Sequence, residues 1–175
     1  GKAHGAHVVA CASTDEKREA CQRAGADRVL DYGEDADYDR FITVLKEAEL
    51  YGKINLVFDP VGGGYGEAAF RAMARAGRYV LFGFASGGTD PKSAFPNFPI
   101  NLLLMRGQQL LGSMDSSRGE EVDRMFQMVA EGRLHPGSGH QAKDTAVYTL
   151  DNFLEAFRAI ATRKAIGKVV VQIRA

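Results

Sequence analysis

The sequence is short of net charge, of cysteine and of long apolar runs, and each shortage closes off a class of function. Its 22 basic and 22 acidic residues cancel to a formal net charge of zero, so there is no electrostatic ground for expecting a nucleic-acid or membrane partner. No uninterrupted apolar run approaches the ~18 residues of a membrane span, and the opening "GKAHGAHVV" is no signal peptide. Two cysteines, Cys11 and Cys21, fit a reducing cytoplasm and read as buried or inert positions, not a redox pair. His4, His7, His135 and His140 are dispersed, with no cysteine or carboxylate at ligand spacing, which argues against a metal site. Neither G-x-S-x-G nor a readable Ser-His-Asp arrangement occurs. Internal repeats, linkers and low-complexity tracts are also absent.

What is present describes one α/β domain: 175 residues, 45% hydrophobic, 25% charged, with 20 glycines. Short β-rich runs alternate with amphipathic stretches, the pattern of parallel strands joined by crossover helices. "HVVACAS" (7–13) reads as the first strand, and Ser13-x-x-Glu16 as a capping box opening a helix closed by Gly25. "RVLDY" is a second strand. A helix over 37–49 follows, with Phe41, Val44, Leu45 and Ala48 at helical spacing. "INLVFD", a helix over 65–76 and "GRYVLFGF" come next, then a long Gly/Pro/Ser-rich loop over 85–99. A short helix over 100–105 leads to the strand "QQLLGSM". Ser117-x-x-Glu120 caps a helix with Val122, Met125, Phe126 and Val129 on one face. Beyond "GRLHPGSGH" the chain closes as strand "TAVYTL", helix "DNFLEAFRAIA" and strand "GKVVVQI".

Gly64-x-Gly66-x-x-Ala69 satisfies the fingerprint that cradles a dinucleotide pyrophosphate, but the strand that follows ends in Phe82-Gly83-Phe84. A true unit carries a carboxylate there for the ribose hydroxyls, so the match reads as fortuitous. The turn "CASTDEK" is the better adenosine end. Its strand tip carries Ser13 and Thr14 in place of an acid, Lys17 lies one turn into the helix, and Tyr32 ends the neighbouring strand. A hydroxyl, an ammonium and a phenol suit a 2′-phosphate, with no carboxylate to repel it. Spacing alone leaves both readings open and leans to Lys17 as a solvated helix lysine and Tyr32 as strand filler. Asp59, at a strand tip beside Pro60, reads as fixing the turn, with a general base as the other option.

Taken together, "GKAHGAHVVACASTDEKREACQRAGADRVLDY", "INLVFDPVGG", "GRYVLFGFASG", "PINLLL" and "ATRKAIGKVVV" resemble, in order and nearly end to end, the zinc-independent medium-chain dehydrogenases/reductases. The likeness is to their NADPH:quinone oxidoreductase (zeta-crystallin-like) branch. It implies a doubly wound, Rossmann-type α/β fold and NADP(H) as cofactor. It implies 2′-phosphate contacts from Lys17 and Tyr32 beside Ser13, and backbone contacts from Pro60, Val61 and Gly62. It further implies an approach of Phe84, Ala85, Leu111 and Gly112 to the nicotinamide half, and a cofactor contact from Arg163. The family's strand and "A-x-G-G-V-G" loop, and its catalytic domain, would precede residue 1. The resemblance therefore divides the chain into a dinucleotide-binding part (1–150) and a C-terminal helix and strand (151–175) packing on that catalytic domain.

On this reading the parent is a cytoplasmic, metal-independent reductase passing hydride to a quinone or an α,β-unsaturated carbonyl. It would be a homodimer through the edge strand near Leu110, and the chain alone is expected to be inactive. The competing expectation is a non-catalytic nucleotide-binding or interaction module, since fold does not fix function. A methyltransferase would be expected to carry a ribose-binding carboxylate where Ser13 and Thr14 stand. In the strand order 3-2-1-4-5-6 the absent strand is central. "HVVACAS" and "INLVFD" then flank a slot that should be filled by a retained or exchanged segment, by closure of the sheet, or by another copy.

Overall fold

In the computed structural model, residues 1–33, 37–87, 95–113, 119–135 and 146–173 are described. Strand β1 (Val9–Ala12) runs into helix α1 (Asp15–Arg23) at Thr14. Thr14 holds an extended backbone, and its hydroxyl accepts the Lys17 N–H at 3.4 Å. The cap therefore falls one residue later than the Ser13 box, because Thr14 is the residue with the non-helical backbone a cap requires. Gly25 closes α1 as expected, its N–H bonding the Gln22 carbonyl while that of Ala26 reaches Cys21. After β2 (Arg28–Asp31), Asp37 caps α2 (Tyr38–Glu47) by accepting from the N–H groups of Asp39 and Arg40. Phe41, Leu45 and Ala48 are buried as the periodicity predicts, whereas Val44 is half-buried and Ile42, outside the expected face, is buried with them.

The chain continues through β3 (Ile54–Asp59), α3 (Gly63–Arg71), β4 (Met73–Leu81), α4 (Asn101–Arg106), β5 (Gln109–Gly112), α5 (Gly119–Ala130), β6 (Ala146–Thr149), α6 (Phe153–Ala161) and β7 (Val169–Gln172). Two elements differ from expectation. Helix α3 stops at Arg71 instead of Ala76, and β4 starts at Met73, since Met73 already pairs with Ile54 before the register slips to Leu56 opposite Arg78. The Gln108 side-chain amide donates to the Met73 and Ala74 carbonyls at 3.2 and 3.3 Å, occupying acceptors that a continuing helix would need. On α5, Met125 and Phe126 are exposed and Met128 is the buried residue. Ser117, much of the 85–99 loop and most of "GRLHPGSGH" lie outside the described residues.

The chain divides into two compact units, Gly1–Asp31 with Ser117–Ala175, and Tyr32–Ser116. In the second, β3, β4 and β5 form a parallel sheet in that order. Phe70, Met73 and Tyr79 form its fully buried core, with Val57, Leu81, Phe98 and Leu102 packed around them. In the first, β1 pairs with β2 and β6 with β7, both parallel. This is the expected α/β class with parallel strands. The described strands form three separate sheets. Cys11 is exposed and Cys21 half-buried, both free, which corrects the buried reading of Cys11. Alternation along β1 turns Ala12 into the core and leaves Cys11 on the other face. Among the described residues, no helix is long and apolar enough to cross a membrane.

Candidate cofactor-binding site

In the first unit the carboxyl end of β1 carries Ser13, whose hydroxyl is not the one capping α1, because Thr14 performs that role. Lys17, in the first turn of α1, donates its ammonium to the Arg163 carbonyl at 2.6 Å. Two predicted residues 146 positions apart are thus brought together. Arg163 follows α6 in the left-handed region, φ 57°, where the Arg163 N–H bonds Ile160 and the Lys164 N–H bonds Ala159. That paired pattern is the Schellman end of a helix, a position that usually takes glycine. The lysine is therefore an anchored cation at the strand tip.

In the second unit the carboxyl ends of β3 and β4 form a paired rim. Asp59 is buried and accepts the Val61 N–H at 2.8 Å and the Gly62 N–H at 3.0 Å, as well as the Tyr79 hydroxyl. Burial, reinforced by that hydrogen bond and by the Asp59 charge, pushes the Tyr79 phenol well above its usual range, so it stays a proton donor. With these partners Asp59 fixes the turn, the first of its two readings. Gly62, the cap of α3, sits at φ 72°, ψ −152°, a conformation reserved for glycine.

The two loops then run together. Phe82 N–H bonds the Asp59 carbonyl, Ala85 N–H the Pro60 carbonyl and Ser86 N–H the Val61 carbonyl, at 2.9–3.0 Å. Pro60, Val61 and Gly62 are so joined to Phe84 and Ala85. Leu111 and Gly112 lie on the adjoining strand, opposite Val80 and Leu81. Sequence reasoning passed over Ser86. Its hydroxyl is buried without a hydrogen-bond partner among the described residues, which fits a polar ligand group at this rim. Tyr32 lies just beyond β2, its ring 4.5 Å from that of Tyr65 and 6.2 Å from that of Phe41.

The fingerprint glycine has a packing role. A methyl group on Gly66 would stand 2.7 Å from the Tyr79 hydroxyl and 2.9 Å from the Asp59 carboxylate. Gly66 lets α3 lie against this buried pair, which accounts for it without any phosphate.

Parallel strands with hydroxyl-bearing and glycine-bearing loops at their carboxyl ends define an α/β protein of the kind that binds ligands at that edge. A family model described as zinc-binding dehydrogenase matches residues 1–131, and the chain belongs to that family. It is 31% identical over 181 residues to Quinone oxidoreductase-like protein 2 of Bos taurus, covering 97% of this chain and 46% of that protein. It is 30% identical over 177 residues to Prostaglandin reductase-3 of Mus musculus, covering 95% and 45%. The structure of a mycobacterial protein complexed with NADPH superposes with a TM-score of 0.74 at 26% identity, over 98% of this chain and 50% of that one. These findings bear out the resemblance read from the sequence. The chain spans about half the length of the curated relatives it matches. Although the family description names zinc, no group of three or more His, Cys, Asp or Glu among the described residues could hold a metal ion.

Proposed function

We propose that the chain is the NADP(H)-binding part of a reductase that transfers hydride to a quinone or an α,β-unsaturated carbonyl. The observation that carries this reading is the tip of β1, where Ser13 and Thr14 stand in place of a carboxylate, with the Lys17 ammonium anchored beside it. The NADPH complex among similar structures and the oxidoreductase names of the relatives support it. Ser13, Lys17, Tyr32 and Arg163 are assigned to the 2′-phosphate. Pro60, Val61, Gly62, Phe84, Ala85, Leu111 and Gly112 are assigned to backbone and apolar contacts with the remainder of the cofactor.

When bound, the cofactor supplies hydride from nicotinamide C4. The chain's own residues hold and orient it. Rate in the parent would come from proximity and from hydrogen bonds to the developing oxyanion, without metal. Asp59, the candidate base, is already engaged by three donors and holds the turn. In the parent, residues 151–175 pack on a catalytic domain, the protein is cytoplasmic, and it dimerises through β5.

Lys17→Ala tests the assignment in the protein that contains this chain. It should weaken NADPH binding by about 1–3 kcal/mol, the range of a charge-assisted bond, and leave NADH nearly unchanged. Equal losses for both cofactors, measured by titration calorimetry, would remove the 2′-phosphate reading. The dimer is tested separately. All four residues of β5 are exposed at the sheet edge, and an unpaired apolar edge invites pairing. Leu110→Pro should give a monomer on a sizing column; an unchanged dimer places the interface elsewhere.

A further inference from the structure

A second charged cluster borders the tip of β1, and the assignments above leave it out. Arg18, next to Lys17 on α1, directs Nη1 to the Ala12 carbonyl at 3.3 Å and to the Asp31 carboxylate at 3.1 Å. Its Nη2 binds the Asp15 carboxylate. Ala12 and Asp31 are register partners across β1 and β2, so one guanidinium ties the ends of two strands and gathers two carboxylates. The Arg18 side chain is 22% exposed, whereas those of Asp31 and Asp15 are 43% and 90% exposed. Each member is a chain neighbour of a residue assigned to the phosphate. Ala12 precedes Ser13, Arg18 follows Lys17 and Asp31 precedes Tyr32.

Charge decides what this placement does. A 2′-phosphate brings nearly two negative charges, and an ionised carboxylate a few ångströms away opposes it by about 1 kcal/mol even in water. A carboxylate free to turn to a ribose would instead favour a cofactor with unmodified hydroxyls. Asp31 is the carboxylate at the end of β2, and Arg18 holds it. The guanidinium is permanently charged, and its planar fork offers enough donors to keep both carboxylates and the Ala12 carbonyl at once.

We infer that Arg18 is a specificity-determining positioning residue that selects NADPH over NADH by holding Asp31 and Asp15 away from the 2′-phosphate and neutralising them. The inference rests on the phosphate-binding reading of Lys17. It differs from a role in merely tying the strand ends, which would affect both cofactors alike.

The experiment measures dissociation constants for NADPH and NADH by calorimetry on the protein containing this chain and on its variants. Arg18→Met should lower the NADPH preference by about fivefold to tenfold, chiefly through weaker NADPH binding. Adding Asp31→Asn to that variant should restore the preference. Asp31→Asn alone leaves the guanidinium with one carboxylate fewer and should raise the preference, which provides a test should Arg18→Met not fold. An unchanged ratio in Arg18→Met, equal weakening of both cofactors, or no restoration in the double variant overturns the inference. So does an unchanged or lowered preference in Asp31→Asn. Lys17→Ala separates the two levels: if it does not change the NADPH to NADH ratio, the phosphate reading itself falls. If it does while Arg18→Met does not, the role of Arg18 alone falls.

Discussion

The two units close their cores to different degrees. In Tyr32–Ser116, three strands of one sheet and the helix before the middle strand bury Phe70, Met73 and Tyr79 completely. In the other unit the buried apolar residues among those described are few, Ala12, Leu30, Met128 and Ala156, while Phe126 on α5 and Phe157 on α6 remain 69% and 65% exposed. Among the described residues, both sheets of that unit have two strands, and such a pair is marginal without further cover. The unit that carries the rim at Asp59 therefore has a closed core, although Phe58, Ile100 and Leu104 leave apolar surface uncovered there too; the unit that carries Lys17 and Arg18 has uncovered apolar faces over a smaller buried core among the described residues.

The comparison breaks most sharply at the phenylalanines. Phe70→Ala should cost about 3–5 kcal/mol, from lost burial and the cavity left behind. Phe157→Ala should stay within about 0.5 kcal/mol, as substitutions of exposed residues usually do. Urea denaturation of the two variants checks this, and a cost at Phe157 matching that at Phe70 would show that its face is covered in solution.

A smaller effect, but one whose sign is informative, is expected at Gly66. An ordinary helical glycine gains about 1 kcal/mol on replacement by alanine. Here the new methyl meets a hydroxyl on a fully buried ring and a carboxylate pinned by backbone donors. Overpacking of that kind costs about 1–3 kcal/mol, so Gly66→Ala should lower the melting temperature. A rise would mean that α3 does not rest on the Asp59–Tyr79 pair.

The smallest effect concerns the other unit. The Lys2 ammonium binds both carboxylate oxygens of Asp27, at 2.7 and 2.8 Å, and the Val8 N–H adds a third bond. These bonds, the lysine first, hold the Asp27 pKa below its usual value. A carboxyl lowered in the folded state stabilises above its unfolded pKa, near ~3.9, and that contribution is lost as the pH falls through the folded value. Asp27→Asn should therefore lower stability slightly at neutral pH and reduce its loss in acid. An acid-unfolding profile identical to that of the parent protein would deny the pair any role.

The order and kind of elements follow from signals carried within a turn or two. The β-rich run "INLVFD" marks β3 to the residue, the apolar spacing around Phe41 and Leu45 marks the buried face of α2, and Gly25 ends α1. Such signals need no partner, because period and capping act between residues already adjacent in the chain. The tip at Ser13 and Lys17 was legible for the same reason, and the joint order of several blocks made the family legible.

Only the tertiary structure decided which acceptor Lys17 takes, since Arg163 is 146 residues away. It likewise decided that Gly66 serves packing against Tyr79 and Asp59, that Arg18 gathers the ends of two strands, and that α5 buries Met128 in place of Met125 and Phe126. Each of these depends on which surfaces the crossovers bring together. A local pattern reports that a face is apolar or a side chain charged, whereas its partner is fixed by strand pairing and helix packing across the whole chain.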